Sequence, residues 1–152
     1  MNEPRIAFLL AMAHRAMTDR LHQWLAEEGR EALRPAHGYT FRFLAEGGVV
    51  TSVELGQRLG VSKQAATKIA AELEEWGYVV RRPHPTDGRA RALGLTQRGL
   101  DYISHVDGLW DEAEAEWAAL IGPERLEETR EAIAAYVEHA SAKGAPLLRP
   151  VW

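Results

Sequence analysis

Cysteine is absent from all 152 residues. That excludes disulfides, thiolate metal sites and redox switching through a thiol. A long hydrophobic run is also missing. The apolar stretch from Ile6 to Ala13 is too short to cross a bilayer and continues into a charged amphipathic segment. Nothing near the start resembles a secretory signal, so a soluble, cytoplasmic protein without membrane contact is expected. Metal-ligand spacing is lacking too. The six histidines, at 14, 22, 37, 84, 105 and 139, form no close pair, although His14 and His22 stand roughly two turns apart on one predicted helix. No Ser/His/Asp order, phosphate-cradling glycine loop or nucleophile elbow occurs, and neither an enzyme nor a cofactor is expected. Internal repeats and low-complexity segments are likewise missing, and the length suits one domain over 1–152.

Net positive charge is the last thing missing: the formal charge is −4. Its distribution is uneven. Between Val61 and Arg98 stand seven Lys or Arg against four acids, a balance of +3, which leaves −7 on the remainder. A local basic field suits docking on phosphate, and the acidic remainder would hold a polyanion to one face.

The basic stretch has a legible order. Thr51 and Glu54 have the T-x-x-E spacing of a capping box, so a helix should start at Ser52. Val53, Leu55 and Leu59 give it an apolar side, and Gly60 ends it. Val61 then plugs the turn and Ser62 caps a second helix, whose buried face is Ala66, Ile69, Ala70, Leu73 and Trp76. The opposite side shows Ser62, Lys63, Gln64, Thr67 and Lys68, short hydrogen-bonding or cationic side chains that read base edges and phosphates. Ala65 and Ala66 should allow close approach. Gly77 stops this helix, and Tyr78-Val79-Val80 reads as a strand. Arg81 and Arg82 follow, then the turn formers Pro83-His84-Pro85-Thr86-Asp87-Gly88. Arg89 and Arg91 lead into a second strand with Leu93 and Leu95 inward, closed by Thr96 as the next helix cap. Two short helices and an arginine-rich hairpin make a winged helix-turn-helix, suited to the DNA major groove.

The order helix, turn, helix, GYVVRR, DGRARALGLT resembles the MarR (multiple-antibiotic-resistance regulator) family of dimeric bacterial DNA-binding proteins. Asp87, Arg89, Leu93, Leu95 and Thr96 meet the wing pattern of that family. The resemblance implies that Arg89 enters the minor groove and that Asp87 helps to hold it. Cysteine-based oxidant sensing, used by some members, is closed to this chain. The close match covers about a third of the chain, and the flanking helices agree in order and length.

Those flanks are one helix from about Pro4 to Glu28, with Ile6, Leu9, Leu10, Ala13, Met17, Leu21, Trp24 and Leu25 in one stripe, and a second from Leu33 to Leu44, closed by Gly47-Gly48. Val49 and Val50 could add a strand beside the wing. A long helix from Gln97 to Ile121 carries Leu100, Ile103, Trp110, Ala113, Trp117 and Leu120. After Gly122-Pro123, a last helix carries Leu126, Ile133, Tyr136, Val137 and Ala140. The expected fold is mainly α with a small β-wing: a winged helix-turn-helix over 33–96, flanked by dimerisation helices over 4–28 and 97–143. The flanks expose more apolar stripe than the winged part can cover, so a homodimer through them, with Trp24 and Trp117 in its core, is expected; a monomer folding the helices back is the alternative. The apolar tail 144–152 is either a loose end or a strap, through Leu147, Leu148 and Trp152, across the partner subunit.

Ser62, Lys63, Gln64, Thr67 and Lys68 should address the major groove and its phosphates, with Arg81, Arg82 and Arg91 on the backbone. The partner is then double-stranded DNA with a palindromic operator. The resemblance further implies a repressor released by a small aromatic or phenolic ligand between the dimer helices and the winged part. His14, Met17, His37, Phe41 and Trp110 are the candidate lining, and plain core packing is the competing account of each. The alternatives are a winged-helix module that binds an acidic protein and a ligand-sequestering protein.

Overall fold

The computed structural model describes residues 3–31, 33–47 and 50–142. Among them run, in order, α1 (Ile6–Glu27), α2 (Pro35–Ala45), α3 (Ser52–Leu59), α4 (Lys63–Glu75), β1 (Val79–Pro83), β2 (Arg91–Leu95), α5 (Gln97–Ile121) and α6 (Pro123–Ser141). The fold is mainly helical with a small hairpin, as the sequence predicts. The apolar tail 144–152, with Gly48 and Val49, lies outside the described residues.

Local chemistry sets most boundaries. Thr51 Oγ1 accepts the Glu54 N–H at 3.2 Å, and Glu54 Oε2 accepts the Thr51 N–H at 2.7 Å, closing the capping box of α3. Gly60 ends α3 at φ +66, where a Cβ would collide with the backbone. Ser62 Oγ accepts the Ala65 N–H at 3.1 Å and starts α4. Thr96 Oγ1 accepts the Gly99 N–H at 3.1 Å and starts α5. α1 begins at Ile6 rather than Pro4. α2 begins at Pro35 rather than Leu33, because Pro35 takes the first helical position, where no N–H is needed.

β1 and β2 pair antiparallel with Val79 opposite Leu95 and Pro83 opposite Arg91. Val50 adds a single antiparallel bridge to Leu93, whose N–H donates to the Val50 carbonyl at 2.7 Å. α3 packs on α4, and α2 packs against both and against the hairpin. Leu55, Leu59, Ala66, Ala70 and Leu73 are sealed between them. Beside them lies an aromatic cluster. Tyr78 sits 4.7 Å from Tyr102 and 5.7 Å from Phe41, ring centre to ring centre, and Phe41 stacks on Tyr102 at 5.5 Å.

The single chain covers only part of the predicted helix faces. Val53 is exposed, because α3 is gripped only along Leu55 and Leu59. On α5, Leu100 and Leu120 are exposed while Tyr102, Leu109 and Ala113 are buried; the covered face is rotated toward α1 and the aromatic cluster. Only Leu21 and Leu25 of the α1 stripe are buried, and Ile6 remains 74% exposed. On α6 only Leu126 is buried; Tyr136 is 72% exposed. Trp24 and Trp117 are half-buried.

Candidate nucleic-acid interface

The leading turns of α4 stand clear of the core. Ser62, Lys63, Gln64 and Lys68 are exposed and Thr67 is half-exposed, its hydroxyl donating to the Lys63 carbonyl at 2.8 Å. Ala65 shares that side, whereas Ala66 is fully buried and serves the core instead. The four N-terminal amides of a helix lack intrahelical acceptors, so the start of α4 is electropositive beyond its two lysines.

The hairpin projects beside this helix. Arg82, Arg89 and Arg91 are exposed and, among the described residues, hold no side-chain hydrogen bond or ion pair. Arg81 differs: its Nε donates to Glu74 Oε2 at 2.9 Å, which ties the strand to α4 and commits its charge within the chain. Arg98 is committed too. Its Nε donates to the Trp76 carbonyl at 3.0 Å, and its guanidinium lies 4.8 Å from the Tyr78 ring centre. Asp87 braces Arg89 through the backbone: Oδ1 accepts the Arg89 N–H at 3.0 Å.

A cavity of about 390 Å³ lies between α1, α2 and α5. His14, Met17, Phe41 and Trp110 line it, as expected. His37 does not. It is 1% exposed and faces α4, where its Nε2 donates to Glu72 Oε2 at 2.8 Å. Its Nδ1 accepts the Arg34 N–H at 3.0 Å, so that nitrogen is unprotonated and the ring is neutral. Sequence reasoning missed Thr18, Tyr39, Arg42 and Tyr102 on the cavity wall. Two of them carry a signal no sequence shows: Thr18 Oγ1 and the Tyr102 hydroxyl are buried without a hydrogen-bond partner among the described residues. Burial also raises the Tyr102 hydroxyl above the ordinary tyrosine range. The other histidines are dispersed; His22 Nε2 donates to the Leu33 carbonyl at 2.7 Å, and His105 Nε2 to Glu28 at 2.6 Å. Among the described residues no acid or histidine cluster could hold a metal ion, and no helix is long and apolar enough to cross a membrane.

The His37 contact predicts an acid-sensitive joint between α2 and α4. Burial lowers the His37 pKa, with the Glu72 hydrogen bond opposing and the Arg34 charge adding to the fall. Burial raises Glu72, but hydrogen bonds from His37 and Arg34 leave its carboxyl below the ordinary range. Both folded-state values lie under their unfolded ones. Their stability is therefore present above about pH 6.5, the unfolded histidine value, and is lost as pH falls through the lowered values. Melting temperature should fall more steeply between about pH 6.5 and 4 in the wild type than in His37→Asn, which keeps an acceptor for the Arg34 amide but cannot gain a proton. Parallel curves would exclude His37 as the sensitive group.

A capped two-helix unit with an exposed basic leading face, followed by an arginine-tipped hairpin, is a winged helix-turn-helix. Residues 33–90 match the sequence model of the MarR family. The transcriptional repressor MprA of Escherichia coli K12 is 42% identical over 53 residues, 35% of this chain and 30% of that protein. The chain spans less than half the length of the curated relatives first matched. Over the whole fold it is similar to the reduced form of MarR from E. coli, with a TM-score of 0.75 and 20% identity, covering 90% of this chain and 98% of the other. It is also similar to MepR of Staphylococcus aureus in complex with DNA, with a TM-score of 0.69 and 18% identity, covering 90% and 99%.

Proposed function

We propose that the protein is a homodimeric, sequence-specific DNA-binding transcription regulator, a repressor that a small aromatic or phenolic ligand releases from a palindromic operator. The observation that carries the reading is the unpaired basic surface. Lys63, Gln64 and Lys68 on one helix face and Arg82, Arg89 and Arg91 on the adjoining hairpin are exposed and, among the described residues, hold no side-chain hydrogen bond or ion pair. Desolvating so many cations is favourable only against a polyanion. Ser62, Thr67 and the α4 amides add hydrogen bonds to phosphate. MprA, similar over the winged part, is a transcriptional repressor.

Dimerisation draws support from the apolar flanks. Ile6, Phe8, Leu9, Leu10 and Met12 on α1, with Leu120, Tyr136 and Val137 on α5 and α6, are exposed in the single chain. A second copy placed on them removes that surface from water and sets two recognition helices on one duplex. Phe8→Glu should shift the sedimentation mass toward the monomer and weaken binding to an inverted repeat roughly tenfold or more, as two coupled half-sites become one. An unchanged mass would remove Phe8 from the interface.

The ligand reading rests on the cavity. His14, Met17, Phe41 and Trp110 supply a largely apolar wall, and beside it Thr18 Oγ1 and the Tyr102 hydroxyl are buried with no hydrogen-bond partner among the described residues. His37 stands outside this wall and links α2 to α4.

The deciding experiment is a fluorescence-anisotropy titration against a selected pool of duplexes at several salt concentrations. Preference for an inverted repeat of roughly a thousandfold over other sequence, with a steep salt slope, supports a regulator. Weak attachment that ignores sequence and disappears near physiological salt points to a module for an acidic protein partner.

A further inference from the structure

We propose that His84 is the positioning residue of the wing, holding through its Nδ1 atom the loop conformation from which Arg89 reaches DNA; the DNA-binding reading above is its premise. The imidazole is half-buried at the root of the loop. Its Nδ1 accepts the Asp87 N–H at 3.0 Å and the Thr86 N–H at 3.2 Å, with the Thr86 hydroxyl at 3.4 Å. Two amide donors converging on Nδ1 require that nitrogen to be bare, so the ring is neutral with its hydrogen on Nε2.

The rest of the loop hangs on this contact. The His84 N–H donates to the Ala90 carbonyl at 3.2 Å, and the Ala90 N–H donates to the Asp87 carbonyl at 3.1 Å. Asp87, fixed by its own amide, then accepts the Arg89 N–H on Oδ1 at 3.0 Å. His84 therefore holds residues 86 and 87, and Asp87 holds 89. The prolines on either side sharpen the arrangement. Pro83 and Pro85 have fixed φ and no N–H, and Pro85 restricts His84 itself to extended backbone. The imidazole thus meets its two amides from a backbone with little freedom to turn away. The Arg89 side chain is exposed and, among the described residues, holds no hydrogen bond or ion pair, so the direction it leaves in is set chiefly by the backbone.

The test compares three substitutions. Asparagine places its Oδ1 near the position of Nδ1 and can accept the same amides; glutamine places its polar group near Nε2; alanine offers neither. His84→Ala and His84→Gln should weaken binding to the selected duplex about tenfold, part of the loss expected for Arg89→Ala, while His84→Asn stays within about twofold of wild type. Because His84 acts through Arg89, His84→Ala should add little to Arg89→Ala in the double variant. Wild-type affinity for His84→Ala, failure of His84→Asn to rescue, or simple additivity with Arg89→Ala would overturn the proposal.

Amide hydrogen exchange separates the two readings. If the wild type binds no duplex, yet the Thr86 and Asp87 amides lose protection in His84→Ala and keep it in His84→Asn, His84 orders the wing and the DNA-binding reading fails. That result overturns the proposed role toward DNA. Unchanged exchange in His84→Ala overturns the positioning role itself.

Discussion

Gly99→Ala is expected to cost about 3 kcal/mol or more, the upper end of the overpacking range, and to lower the melting temperature by roughly 6 °C or more. In an ordinary helix the same change stabilises by roughly 0.5–1 kcal/mol, because alanine loses less backbone freedom on folding. Here the steric effect wins. A Cβ at Gly99 would collide with the Tyr78 carbonyl oxygen and lie 3.2 Å from Leu95 Cδ2. The obstacle is backbone, and that backbone is pinned. The Tyr78 carbonyl accepts the Thr96 N–H at 3.1 Å, the Tyr78 N–H donates to Leu73 at 2.9 Å, and the Thr96 hydroxyl donates to Gly77 at 2.6 Å. The Tyr78 ring is buried in the aromatic cluster, and its hydroxyl donates to Glu31. Burial, with the Glu31 hydrogen bond adding, pushes that hydroxyl up to about 12, so it remains a donor throughout the working pH range. Relief must come from moving α5 off the hairpin. Circular-dichroism melts at fixed protein concentration measure this, and a variant melting with the wild type would refute the close approach.

Arg89→Ala should leave the melt unchanged and reduce affinity for the operator on the order of 10- to 100-fold, the range for losing one desolvated groove contact. Its side chain is exposed and, among the described residues, unpaired, so removal breaks no hydrogen bond or ion pair there. Arg89→Lys should recover only part of the loss, because an ammonium cannot reproduce the planar fork of guanidinium donors. Arg81→Ala makes the contrast. Its partner Glu74 already screens that charge, so the effect on DNA binding should be smaller than for Arg89. Anisotropy titration at one fixed salt concentration compares all three, and Arg89→Ala binding as tightly as wild type would remove the wing tip from the interface.

The parts of this molecule that can be read from sequence are those whose cause is local. A capping box needs only Thr51 and Glu54, a helix stop only Gly60, a cap only Ser62 or Thr96, and each is where its residues predict. Faces of the long helices are less legible. Periodicity finds a stripe on α5 through Leu100 and Leu120, but a 25-residue helix meets different neighbours along its length. The aromatic cluster selects Tyr102 near one end, and among the described residues nothing covers Leu120 at the other.

The candidate site divides in the same way. Exposed cations on α4 and the hairpin follow from composition and amphipathicity. An imidazole near Phe41 suits a ligand wall, yet the two nitrogens of His37 are occupied by Arg34 and by Glu72, 35 residues away. His84 passes unnoticed among turn formers. Its function depends on the angle at which two amides meet one ring nitrogen, and residue type alone does not encode that angle.

The weld between Gly99 and Tyr78 gives α5 a mechanical meaning. Hairpin and helix share an end, so the 25-residue helix is a rigid arm of about 37 Å whose tip is the wing. Tilting such an arm by about 5° sweeps its tip through roughly 3 Å, close to the 3.4 Å rise between neighbouring base pairs. Whatever grips the far end, near Trp117 and Leu120, therefore holds a lever on the register between protein and duplex.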